Sequence, residues 1–270
     1  MASLRRTTNC SRTESLNGMP NLPMHIYLAN LAAEQLDWGS IQDHVGSFFL
    51  GSTTPDIRAM TGWPRERTHF ATLSLESVGT GVRTMLESYP NLADPGNQTP
   101  ATRAFILGYI SHLVADEVWI TTMYRTYFDG ENNVACDDVE ANMWDRTLQL
   151  EMDRKTFAAM DGLHQAAEDI ICGDQSVDVG FLEVDLLQEW REWVGRFMTR
   201  DFSWDRLKRA MNRMYRDNDD VQQTVDKFLQ GMPYSLERIY EKIPEERLDA
   251  YQAQVLAQTV SHAREYMSGV

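Results

Sequence analysis

His112 and Asp116 stand four residues apart in Gly108-Tyr-Ile-Ser-His112-Leu-Val-Ala-Asp116-Glu-Val-Trp119, inside a strongly apolar stretch. On a helix this spacing puts an imidazole nitrogen and a carboxylate oxygen on one face, a turn apart. Such a pair suits a divalent ion at zinc-like bond lengths of ~2 Å. It suits equally a polar pair that hydrogen-bonds within the core, the common fate of an isolated His-x-x-x-Asp. Ile110, Leu113, Val114 and Val118 imply burial, and a buried carboxylate needs a partner.

Further candidates precede this pair. Asp56 follows Pro55, where the backbone is stiff, and His69 sits in Arg-Thr-His-Phe where a helix is expected to start. Taken singly, Asp56 reads as a turn or cap residue and His69 as a helix-start residue. With His112 and Asp116 they supply nitrogen and oxygen ligands, a set that fits zinc and also iron, manganese or nickel. His25, just after Pro23, either caps the first helix or reaches an ion from the helix end, and ranks second as a ligand. His164 and Glu168 repeat the four-residue spacing among polar neighbours, where an exposed ion pair is an equal reading. His44 and His262 have no comparable company and read as surface or structural residues.

The elements that must position these groups are helical. Apolar residues recur at helical spacing from His25 to Leu36 and from Ile41 to Leu50. A Gly-, Pro- and Thr-rich stretch from Gly51 to Arg67 reads as a loop of the kind that carries function. A helix is expected over Leu75–Tyr89, then breakers over Pro90–Pro100, then the strongest segment, Ala101–Tyr127, apolar on most sides and therefore central. Further helices are expected over Asp137–Ile171, Phe181–Thr199, Trp204–Gln230 and Glu245–Met267. No alternating pattern persists and no repeat recurs, so the fold class is all-α: a multi-helix bundle around a central buried helix that carries metal ligands. Residues 1–20 are expected to form a disordered tail, and residues 21–270 a single helical metal-binding domain.

Composition narrows the classes. With 43% hydrophobic residues and seven Trp, the core needs no metal to hold it, so a bound ion would be functional. A formal net charge of −15 disfavours duplex nucleic acid or an anionic membrane as partner. Three cysteines without paired spacing argue against a disulfide framework and fit a reducing cytoplasm. No secretion signal is visible, and no uncharged apolar run approaches the roughly 18 residues of a membrane span, so integral membrane association is not expected.

Together, Pro23-Met-His25-Ile, Leu50-Gly-Ser-Thr-Thr-Pro-Asp56-Ile, Arg65-Glu-Arg-Thr-His69-Phe and Gly108-Tyr-Ile-Ser-His112-Leu-Val-Ala-Asp116 resemble, in order and rough spacing, the zinc-dependent phospholipase C family and its helical zinc nuclease relatives. The resemblance covers residues 20 to 120 and implies a zinc cluster of up to three ions in a helical fold. It implies that Asp56, His69 and His112 hold one zinc, that Asp116 bridges to a second ion served by His25, and that His164 and Glu168 serve a third. The chain lacks the other histidine expected after His112, and no tryptophan precedes His25. It therefore looks like an intracellular member with one or two metals.

The chemistry implied is metal-assisted hydrolysis of phosphate esters, with a small phosphoester or phospholipid head group as substrate. Asp56 is the candidate for positioning or deprotonating the attacking water, and Arg58, Arg65 and Arg67 for holding phosphate oxygens. Each arginine reads equally as a solvated loop charge. Two other readings compete. One is a structural metal protein with a closed coordination shell. The other is a metal-free interaction module that docks a partner through Trp190, Trp193 and Trp204.

Overall fold

The computed structural model describes residues 21–36, 39–216 and 218–269. Among them every regular element is helical and no strand occurs. The longer helices are α1 (Leu22–Leu36), α2 (Val45–Thr53), α3 (Thr80–Ser88), α4 (Pro100–Val118), α5 (Asp138–Ala159), α6 (Leu163–Cys172), α7 (Val184–Met198), α8 (Asp205–Met214), α9 (Asp219–Gln230), α10 (Tyr234–Tyr240) and α11 (Glu246–Ser268). The expected tail at residues 1–20 lies outside the described residues.

Helix α4 is the axis of the molecule. Its start is set locally: the Thr99 side chain accepts from the Thr102 N–H at 3.1 Å, and Pro100 occupies the first turn, where a missing N–H costs nothing. Almost every residue from Ala101 to Val118 is buried, because α1, α2, α3 and α11 pack around it. The helix continues as a π-helical turn over Trp119–Tyr124 and ends at Tyr127. By length and composition the stretch Pro100–Tyr127 could cross a membrane, but 89% of its most apolar window is buried inside the protein. It is a core helix.

Helix α2 crosses α4 with almost no side chain between them. A Cβ on Gly51 would lie 2.0 Å from the Phe105 carbonyl oxygen, and one on Gly108 would lie 1.9 Å from that of Phe48. Glycine at both positions is what lets the two backbones touch.

Several boundaries differ from the sequence expectation. The stretch Gly51–Arg67 is less a loop than a run of short turns: the end of α2, a 3-10 turn at Thr54–Ile57, one helical turn at Arg58–Thr61, and another at Glu66–His69. Gly62, at φ 69°, ends the first of these helical turns. The helix expected from Leu75 begins only at Thr80, because Gly79 at φ 87° breaks the chain there. Asp137–Ile171 is two helices, broken around Met160–Gly162, and Trp204–Gln230 is also two. Helix α10 was not anticipated. The tryptophans considered for docking belong to the core instead. Trp190 is fully buried and stacks on Trp193, and Trp193 and Trp204 pack half-buried against the same apolar cluster.

Candidate metal centre

Five ligand-type side chains meet beside the middle of α4. His112 and Asp116 come from α4 itself, His25 from the first turn of α1, Asp56 from the 3-10 turn and His69 from the end of the short helix Glu66–His69. His25, Asp56 and His112 form one group whose ligand atoms all lie within 4.8 Å of one another, and His69, His112 and Asp116 form a second. His69 Nε2 lies 3.2 Å from Asp116 Oδ2 and 4.0 Å from Asp56 Oδ1, and His112 Nε2 lies 4.0 Å from Asp116 Oδ2. His25 Nε2 lies 3.6 Å from Asp116 Oδ1, and its ring stacks on that of His112 at 3.8 Å.

The hydrogen bonds fix the protons. His112 Nδ1 lies 2.8 Å from the Ser52 carbonyl oxygen, which can only accept, so Nδ1 carries the hydrogen and Nε2 a bare lone pair. Thr68 gives its hydroxyl hydrogen to the Pro55 carbonyl at 2.8 Å and therefore accepts from His69 Nδ1 at 3.1 Å. His69 Nε2 is then also bare. Burial drives both rings toward the neutral form: His112 is lowered, and His69 is held well below its usual value by burial and then by the Arg65 charge. His25, also buried and beside His112, falls to about 4.

Two neutral imidazoles thus aim lone pairs at two carboxylates. Neither Nε2 has a hydrogen-bond donor among the described residues. Acceptors facing acceptors repel, and buried polar atoms without partners are costly, unless a cation lies among them. A tetrahedral zinc with bonds of ~2.0–2.1 Å spaces its ligand atoms roughly 3.3 Å apart, and 3.2–4.0 Å is found here. The residues present fit a divalent ion of the zinc class.

The carboxylates behave as an unequal pair. Burial would raise Asp116, but the Arg65 guanidinium, with Nη1 2.9 Å from Asp116 Oδ2, holds it well below the carboxylate range. Asp56 has no such close cation, and burial beside Asp116 raises it to about 6. The imidazoles are at most 4% exposed, whereas Asp56 is 20% and Asp116 23% exposed. The nest therefore opens to solvent on its carboxylate side.

Other sequence candidates lie elsewhere. His164 and Glu168 sit on the exposed face of α6, whose buried face is Leu163, Ala166, Ala167 and Ile170, and the structure does not bring them to the nest. Of the three arginines, Arg65 reaches the nest. Arg58 stays close enough for Asp56 and Asp116 to act on its charge, and its Nε donates to the Trp63 carbonyl at 3.4 Å. Arg67 is exposed and lies flat over the Trp63 ring, 3.4 Å from its centre. Ser52 and Thr68, which set the two tautomers, were missed. Only the Thr-His dipeptide offered a signal, and a weak one.

Residues 24–132, the part of the chain that supplies all five side chains, match the family model described as zinc dependent phospholipase C. That segment belongs to the zinc-dependent phospholipase C family. No curated protein and no solved structure was found to match the chain. The match to a zinc-dependent family agrees with the donor set of the nest, whose His and Asp side chains could hold a metal ion.

Proposed function

We propose that this zinc-dependent phospholipase C family member hydrolyses phosphate esters at the nest formed by Asp56, His69, His112 and Asp116, with His25 at its inner edge. The observation that carries the reading is the pair of bare imidazole nitrogens, His69 Nε2 and His112 Nε2, facing two carboxylates in a buried pocket. A divalent ion held there supplies Lewis acidity, polarising a phosphoryl oxygen and making water acidic enough to attack near neutral pH.

The chain's own residues supply the rest. Asp116, kept ionised by Arg65, contributes a fixed negative charge to hold the cation. Arg65 spends Nη1 on Asp116 and stands at the nest, where its guanidinium can donate to phosphoryl oxygens in charge-assisted hydrogen bonds. Asp56, partly exposed on the open side of the nest and 4.0 Å from His69 Nε2, is placed to orient the attacking water and take its proton where it is not engaged as a ligand. Arg67, spread over Trp63 at the surface, contributes charge to the rim rather than a contact to the reacting group. Opening on the carboxylate side leaves room for a head group, which favours catalysis over a closed structural ion.

The test is metal content and turnover together. Protein made without a histidine tag and supplied with zinc should carry stoichiometric metal and hydrolyse bis-p-nitrophenyl phosphate or a phospholipid, and His112→Ala should lose both. Stoichiometric metal without turnover on either substrate would leave a structural ion in place of the enzyme.

A further inference from the structure

We propose that Asp153, held by Arg206, is the positioning residue that fixes His25 in the metal nest. This rests on the metal reading above and extends it to the part of the chain beyond residues 24–132.

His25 differs from its two companions. A ligand histidine is usually oriented through a hydrogen bond from its second ring nitrogen. His112 has Ser52 and His69 has Thr68 for this purpose. His25 Nδ1 is buried without any hydrogen-bond partner among the described residues. Its ring stacks on His112 and its Nε2 faces Asp116 Oδ1 at 3.6 Å, but nothing among the described residues orients it through Nδ1, so its place depends on where the backbone of α1 begins.

That beginning is itself unusual. The first turn, from Leu22 to Ile26, is buried, so its free N–H groups cannot turn to water. Pro23 has no N–H to offer. Asn21, at the capping position, gives its side-chain amide to Gln149 Oε1 at 2.8 Å, and its Oδ1 has no partner among the described residues. The cap comes instead from α5. Asp153 Oδ1 accepts the Met24 N–H at 3.0 Å, one residue before His25 and 129 positions away in sequence. The negative carboxylate also suits the positive end of the helix dipole.

Asp153 is held on both oxygens. It is fully buried, and its second oxygen pairs with Arg206 Nη2 from α8 at 2.8 Å. Arg206 is buried in turn, its guanidinium 5.0 Å from the centre of the Phe197 ring. Arg206, Asp153 and the Met24 amide form a buried chain of contacts that ends one residue before His25.

The experiment is a double-mutant cycle read as zinc affinity by chelator competition and as the visible spectrum of bound cobalt(II). Wild type, Asp153→Asn, His25→Ala and the double variant are compared, each with its helical content checked. Asp153→Asn should weaken zinc binding about tenfold or more and shift the cobalt spectrum. In the His25→Ala background it should change the affinity less than about twofold, because the residue it positions is gone. Equal losses in both backgrounds, no loss in either, or an affinity indifferent to His25→Ala would overturn the assignment. If Asp153→Asn does not fold, Asp153→Leu combined with Arg206→Met removes both buried charges and takes its place with the same expectations. A wild-type protein that binds no zinc would sink the functional reading itself, whereas tight wild-type binding with additive variants sinks only the role of Asp153.

Discussion

Thr68 and Ser52 decide which nitrogen of His69 and of His112 is left bare, and Arg65 decides which carboxylate of the nest stays ionised. The remaining proton belongs to Asp56. Its carboxyl is raised, so below about pH 6 it carries a proton and above it does not. A cation must displace that proton only on the acid side. The apparent zinc dissociation constant should therefore be nearly flat from pH 8 to about 6.5 and rise as pH falls through 6, by up to about tenfold per unit for the one proton displaced. Asp56→Asn should bind more weakly throughout and lose the break near pH 6. A break that persists in the variant assigns the titration to another group. Asp56, His69, His112 and Asp116 were legible in the sequence because ligand-type residues at helical spacing, and in motifs that resemble a known family, carry a signal of their own. The residues that orient them were not. Ser52 acts through its backbone carbonyl, which any residue would offer, and Thr68 acts through a hydroxyl whose partner, Pro55, is named only by the fold.

At the scale of elements, the bond between His112 and Ser52 exists because α2 and α4 touch backbone to backbone. The contact is carried by Gly51 and Gly108, and a Cβ on Gly108 would stand 1.9 Å from the Phe48 oxygen and 2.9 Å from the Ser52 nitrogen. Gly108→Ala must push the helices apart. Overpacking of this kind costs typically about 1–3 kcal/mol, and here it also lengthens the hydrogen bond that holds the His112 tautomer. The variant should melt at lower temperature than wild type and bind zinc more weakly, while Gly162→Ala, where a Cβ meets nothing within 4 Å, should match wild type in both. Equal behaviour of the two variants would mean the crossing does not position the site. The helices themselves were readable from apolar periodicity, most clearly α4. Their breaks were less so. Apolar spacing runs unbroken through Met160–Gly162, and the Gly79 conformation that delays α3 shows only in the backbone. The glycines of the crossing looked like ordinary loop and helix glycines, since sequence does not say which helix will lie against them.

Over the whole molecule, the family segment supplies the side chains of the nest and the rest of the chain supplies its walls. Asp145 on α5 accepts the Trp119 indole N–H at 2.9 Å, Tyr251 on α11 packs edge-on against Trp119 at 5.0 Å, and Asp153 caps α1. Helix α11 lies against both α1 and α4, and one apolar cluster runs from Leu22 to Tyr266. The sequence named the central helix and the late amphipathic helices but not which of them would cover it, because amphipathic faces of similar composition are interchangeable until packed. If the walls and the nest are one cooperative unit, cutting the chain after the family segment removes more than surface. A fragment of residues 1–132 would expose α4 on the side that α11 covers and leave the first turn of α1 without its carboxylate. The fragment should show neither a sharp thermal transition by circular dichroism nor stoichiometric zinc binding, whereas the full chain should unfold in a single transition shifted upward by zinc. A fragment that melts cooperatively and binds zinc with the full chain's affinity would show that the nest stands without its walls, and would remove the physical basis for assigning any part of the site to α5, α8 or α11.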